Sequence, residues 1–219
     1  MRRLAVLLAL LVAAGVGVRA AAQPGPFGVR LAAAAEARAE HRVLYDPAYV
    51  SIAYPWGDVA ADRGVCADVV IRAYRALGVD LQQRVHEDMT SAFAAYPTYW
   101  GLTRPDPNID HRRVLNLESF FARHGSRLPP SDNPADFQPG DVVAWNLRGE
   151  GGSLPHMGVV VDRVGASGNP MIAHNIGRGP QVEDVLFDWP MTGRYRYAVE
   201  PGEEDRPPSD GGAAGAGAG

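Results

Sequence analysis

The chain has 219 residues, with 25 acidic against 21 basic side chains and a formal net charge of −4. That balance excludes a nucleic-acid partner held through its phosphates. Every basic residue is an arginine, so Schiff-base or phosphate-loop lysine chemistry is excluded, and 1 cysteine excludes an internal disulfide.

The first segment, MRRLAVLLALLVAAGVGVRAAA, has basic Arg2 and Arg3, an apolar run from Leu4 to Val18, and small residues at Ala20–Ala22. This order predicts a secretory signal peptide over 1–22. The apolar run is short for a membrane span, which needs about 20 residues. The expected product is exported to the periplasm or outside the cell, without a stable membrane anchor once cleaved. Losing Arg2, Arg3 and Arg19 makes that product more acidic. In an oxidising compartment a free thiol is either buried or used.

Leu31 to His41 is rich in Ala, Glu and Arg and predicts a helix. Tyr45 to Asp62, broken by Pro47, Pro55 and Gly57, predicts an aromatic loop. GVCADVVIRAYRALG then places Val65, Val69, Val70, Ala73, Tyr74 and Leu77 on one helical stripe. Asp62 is the candidate N-cap and Gly78 the stop. Gln82–Ala95 and Val114–His124 predict further helices, separated by a proline-containing loop from Tyr96 to Asn108. From Gly140 the period changes. Asp141–Trp145, His156–Val164, Pro170–Asn175 and Arg194–Val199 read as strands. Helices followed by an antiparallel sheet predict an α+β fold, as a single domain over 23–199. The Gly/Ala/Pro-rich acidic tail, 200–219, has nothing to bury and is expected to be disordered.

The candidate chemistry centres on Cys66. At a helix start, unpaired N–H groups favour the thiolate, which is the nucleophilic form. A base is needed, and His156 and His174 fall on adjacent predicted strands. In a hairpin, opposed residues have a constant index sum. Turning at Val161/Asn169 sets His156 against His174, and turning at Asp162/Asn169 sets it against Asn175. Either partner would orient the imidazole.

Cys66 at a helix start, PGDVVAW, HMGVVV and MIAHN together resemble the NlpC/p60 cysteine peptidases, a family with a papain-like core that cleaves peptide bonds in bacterial cell-wall stem peptides. The resemblance implies Cys66, His156 and His174 as the catalytic set. It also implies that Tyr54, in Tyr54-Pro55-Trp56-Gly57, lines the substrate groove. Val65-Cys66-Ala67-Asp68 departs from that family's usual Asp-Cys-Ser-Gly. GVCADVVIRAYRALGVDLQ, VHEDM, NIDHRR, LESFFARHG and the HNIG-x-GP segment carry a closer similarity, over nearly all of Tyr45 to Tyr197, to the bacterial domain-of-unknown-function 1287 family, within that wider superfamily.

Asp68, His86, Asp110, His111, Arg112 and Asn175 are the remaining candidates for substrate contacts, with Arg112 or Arg113 suited to gripping a carboxylate. The plainer reading of these groups is caps and ion pairs. No HExxH or paired-cysteine spacing is present, so no metal site and no cofactor are expected. The expected function is an exported cysteine hydrolase acting on peptidoglycan peptides or another amide substrate. The alternatives are a non-catalytic cell-wall binding module, whose ligand wall would be Tyr54 and Tyr96–Trp100, and an acyl transferase using the same triad. No oligomeric state follows from the sequence.

Overall fold

A computed structural model describes residues 26–205. The expected signal peptide and the tail beyond 205 lie outside the described residues. The architecture is α+β, as expected. The helices are α1 (Phe27–Ala37), α2 (Cys66–Ala76), α3 (Leu81–Ala92) and α4 (Val114–His124). A parallel pair joins β1 (Leu44–Tyr45) to β2 (Arg63–Gly64). The main sheet contains β3 (Ser126–Arg127), β4 (Val142–Asn146), β5 (Pro155–Val164), β6 (Pro170–Asn175), β7 (Pro180–Glu183) and β8 (Met191–Arg196). Its order is β3-β8-β4-β5-β6-β7, and its ladders are antiparallel. Among the described residues no helix is long and apolar enough to cross a membrane.

Side chains alternate along each strand, so the sheet has two apolar faces. Val142, Ala144, Met157, Val159, Val161 and Ala173 face the helices, in the same core as Cys66 and Val70. Val143, Trp145, Val160 and Ile172 face the other way, under Phe137 and Leu186. Tyr74 is wholly buried between Phe27 and Phe121, and its hydroxyl donates to the Tyr197 carbonyl at 2.8 Å.

Several expectations are corrected here. Helix α1 starts at Phe27 rather than Leu31, because the Phe27 ring joins the core against Tyr74. Asp62 does not cap α2; Val65 is the capping residue and its N–H donates instead to Asp68 at 2.6 Å, while the Asp62 carbonyl accepts from Leu44. The last strand is Met191–Arg196, not Arg194–Val199. Strand β7, Pro180–Glu183, falls between the expected strands Pro170–Asn175 and Arg194–Val199, where no element was expected. The tail does not begin at 200: Asp205 pairs with Arg84 at 2.8 Å and accepts from the Asp80 N–H at 2.7 Å, so 200–205 lie against α3.

The Pro139-Gly140-Asp141 motif is a structural corner. Gly140 has φ of 88°, and a Cβ there would lie 2.4 Å from the Gly28 carbonyl oxygen. The buried Asp141 carboxylate then accepts from Arg196 twice, at 2.7 and 2.9 Å, fixing the entry of β4 beside β8.

Candidate active site

Cys66 is the first residue of α2 and only 5 % exposed. The nearby backbone N–H groups of Met157, Ala67 and Cys66 itself each favour the thiolate. Burial opposes them and wins, with Asp68 adding repulsion, and the thiol is pushed up to about 11. The helix start therefore favours the thiolate by less than burial opposes it. The Tyr45 phenol lies against the thiol, and its own pKa rises to about 12, chiefly by burial and then by Cys66 and Asp68.

His156 and His174 are brought together, but not as opposed residues. In the β5–β6 ladder Gly158 pairs with His174 and Val160 with Ile172, while Val164 pairs with Pro170. Residues 161–163 thus face Met171 alone. This bulge carries His174 past both expected registers and makes it a diagonal neighbour of His156. Asn175 lies beyond the last β5–β6 pair and sits opposite Pro180 of β7. The imidazoles still meet, with His156 Nε2 2.8 Å from His174 Nδ1. Gly158 makes this possible, because a Cβ there would be 3.0 Å from the His174 Cβ and 2.6 Å from Ile172 Cγ2.

The chain of contacts continues to Glu183 on β7, whose Oε2 is 2.8 Å from His174 Nε2. Burial lowers the pKa of His174, while Glu183 pulls it up. Burial and then His174 push His156 down to about 3. Both rings are neutral near pH 7, so their tautomers follow from the carboxylate. Glu183 can only accept, so His174 carries its proton on Nε2 and accepts at Nδ1. His156 therefore donates from Nε2 and keeps a basic lone pair on Nδ1. Trp145 and Trp189 wall this pair, with ring centres 5.9 and 6.0 Å from that of His156.

Cys66 and His156 lie beside the same stretch of backbone without touching as acid and base. Met157 points toward α2 and Cys66, and His156 points toward Trp145. Among the described residues no hydrogen bond joins thiol to imidazole; the expected pair is linked only through the β5 backbone.

The expected substrate contacts are mostly structural. Asp68 and Arg112 grip each other through two hydrogen bonds of 2.9 Å, each with a side chain 3 % exposed. Neither offers a free group to a ligand. Asp110 is buried, accepts from the Asp106 N–H and pairs with Arg113. His111 is buried, and desolvation with Arg112 and Arg75 nearby pushes it down to about 3. Tyr54 packs edge-on against His86, ring centres 5.0 Å apart, so it is Tyr45 that covers the thiol. Asn175 is buried, its Oδ1 accepts from the Gly177 N–H at 3.0 Å, and among the described residues its Nδ2 has no partner.

Tyr45 and Glu183 were not legible as site residues. Tyr45 falls in a segment that reads as an aromatic loop. Glu183 ends a strand that opens with proline and follows three glycine- or arginine-rich residues. The alternation Gln181-Val182-Glu183 was the available signal. Among the described residues no group of three or more His, Cys, Asp or Glu side chains could hold a metal ion.

The profile of the family described as Domain of unknown function (DUF1287) matches residues 32–197. The uncharacterized protein YijF of Escherichia coli (strain K12) is 57 % identical over 158 residues, covering 72 % of this chain and 76 % of YijF. Two solved structures are similar, each with a TM-score of 0.46 and 16 % identity: NlpC2 and NlpC1 from Trichomonas vaginalis. The matches cover 81 and 82 % of this chain but 49 and 47 % of those, so it spans about half their length.

Proposed function

This chain belongs to the family described as a domain of unknown function (DUF1287), and from that premise we propose that it is an exported cysteine hydrolase cleaving amide bonds in cell-wall peptides. One observation carries the reading. A lone cysteine opens a buried helix near three backbone N–H groups that favour its thiolate, beside a strand whose histidine is oriented through a second histidine by a carboxylate.

In this reading the resting site is latent. Tyr45 moves off Cys66 when the peptide enters, and the start of β5 rearranges to carry His156 Nδ1 from the Trp145 face of the sheet to the sulfur. Catalytic contacts commonly tighten only when substrate is bound. His156 takes the thiol proton as sulfur attacks the amide carbonyl carbon. The oxygen of the tetrahedral adduct carries the negative charge and is met by the Cys66 N–H. The adduct collapses, the C–N bond breaks, and the leaving amine takes the proton from His156. Water then gives a proton to His156 and attacks the thioester, releasing the acid and restoring the thiol. His174 and Glu183 hold the ring in the tautomer this needs.

The test is digestion of purified peptidoglycan by the mature protein and by Cys66→Ala, with mass spectrometry of the released fragments. New termini from the wild type alone, at one amide bond, support the proposal. An intact wall with both proteins overturns it. The thiol pushed up to about 11 and the absent thiol–imidazole bond favour a second reading, a non-catalytic wall-binding module. That reading expects both proteins to sediment with the wall and to release nothing.

A further inference from the structure

A groove of about 870 Å³ runs between the segment from His41 to Leu44 and the segment from Arg178 to Glu183. Its walls approach closely at Gly179, where φ is 91° and a Cβ would lie 3.1 Å from the Val43 carbonyl oxygen. Val43 and Pro180 also line a closed gap, with no room for a water molecule, that Gly64, Val65 and Asn175 border on its other side. The groove is therefore separated from the residue before Cys66 only by Val43 and Pro180, and Glu183 on its wall holds His174.

Its polar groups are unevenly used. Most of the arginines near the helices are engaged: Arg72 and Arg75 by Asp58, Arg112 by Asp68, Arg123 by Asp88 and Arg196 by Asp141. Arg42 and Arg178 line the groove from different segments, and among the described residues neither has a hydrogen bond or ion pair. Beyond Val43 and Pro180, in the closed gap, the Asn175 Nδ2 is buried and has no partner among the described residues. An unmet buried donor is costly and is expected to gain a partner in some state of the protein.

We propose that this groove is the subsite for a peptide bearing a free carboxylate, with Arg42 and Arg178 holding the carboxylate and Asn175 donating to a backbone carbonyl nearer Cys66 once the peptide parts Val43 from Pro180. Arginine suits a carboxylate because its fork of N–H groups matches the two oxygens. Asp62 and Glu183 on the same groove restrict the fit to a single carboxylate rather than a polyanion. The inference names the substrate class for the hydrolase reading and rests on it for its meaning.

The experiment uses the Cys66→Ala protein, so that binding is read without turnover. N-acetyl-trialanine with a free carboxylate and its C-terminal amide are titrated and followed by calorimetry or amide NMR shifts. The acid should bind about tenfold or more tightly than the amide. In Arg42→Ala/Arg178→Ala the preference should vanish while amide binding persists. Asn175→Ala should weaken both ligands alike. Equal binding of acid and amide, including none of either at millimolar peptide, overturns the inference, as does a preference that survives the double arginine variant. A clear preference together with an undigested wall would leave the groove standing and remove the hydrolase.

Discussion

The Glu183 carboxylate holds His174 at 2.8 Å, and His174 in turn holds His156 at 2.8 Å, across three adjacent strands. The carboxylate sets both tautomers and raises the His174 pKa against burial. Replacing Glu183 by Gln keeps the size but lets the amide donate, which can invert the tautomers of both rings. Activity on the wall should fall by roughly tenfold or more in kcat with little change in KM. Because Glu183 raises the His174 pKa, its loss should also move the acid limb of the pH profile to lower pH. A drop in activity with an unmoved acid limb would mean that Glu183 serves packing alone.

The thiol of Cys66, pushed up to about 11 by burial, should react slowly with iodoacetamide at neutral pH. Labelling of the folded protein should then speed up about tenfold per pH unit from pH 8 to 10, because only the thiolate reacts. Removing the cover with Tyr45→Ala should raise the rate at every pH and lower the apparent pKa. Fast labelling of the wild type at pH 6, measured by intact mass, would contradict the buried neutral thiol.

His111 and His156 are both held neutral down to about pH 3 by burial, against about 6.5 in an unfolded chain. Above about pH 6.5 neither ring affects the pH dependence. Below it the unfolded chain takes up protons that the folded one refuses, so stability falls as pH falls toward 3. Each ring contributes a slope of about 1.4 kcal/mol per pH unit in that window. Asp80, Asp110 and Glu118, raised by burial, act in the opposite sense. The informative quantity is therefore the difference between wild type and His111→Gln. Urea midpoints from pH 6 to 4 should show a shallower loss in the variant, and parallel curves would exclude the role of His111.

Arg112 and Asp68 form a buried two-bond pair that ties the segment before α4 to the first turn of α2. Arg112→Ala leaves Asp68 charged and buried, which should cost about 3–5 kcal/mol in urea unfolding. Arg112→Lys should recover only part of this, because an ammonium cannot make both bonds. The double variant Arg112→Met/Asp68→Asn should be more stable than Arg112→Ala alone. If Arg112→Ala unfolds at the wild-type midpoint, the pair is a bystander.

What the sequence made legible followed periodicity. Helix α4 is found over the expected residues, and strand β6 likewise, because each has a strong period and clear punctuation. The pairing of His156 with His174 was legible as proximity but not as register, since a bulge in 161–163 has no composition of its own. Asp68 and Arg112 looked like ligand contacts because a charge at a helix start reads the same whether it faces a substrate or a side chain 44 positions away. Glu183 and Tyr45 were hidden in short strands of four and two residues, too brief for any period to show.

Gly158 bears on how a mutational scan of this chain should be interpreted. Any side chain placed there would compete for volume with Ile172, the Ala173 carbonyl and the base of His174. The position should therefore tolerate substitution as poorly as Cys66 or His156, although it has no chemistry of its own. Intolerance along β5 would in that case mark the space that the two imidazoles require. A residue that scores as essential there should not be given a reactive role until a purified, folded variant has been assayed.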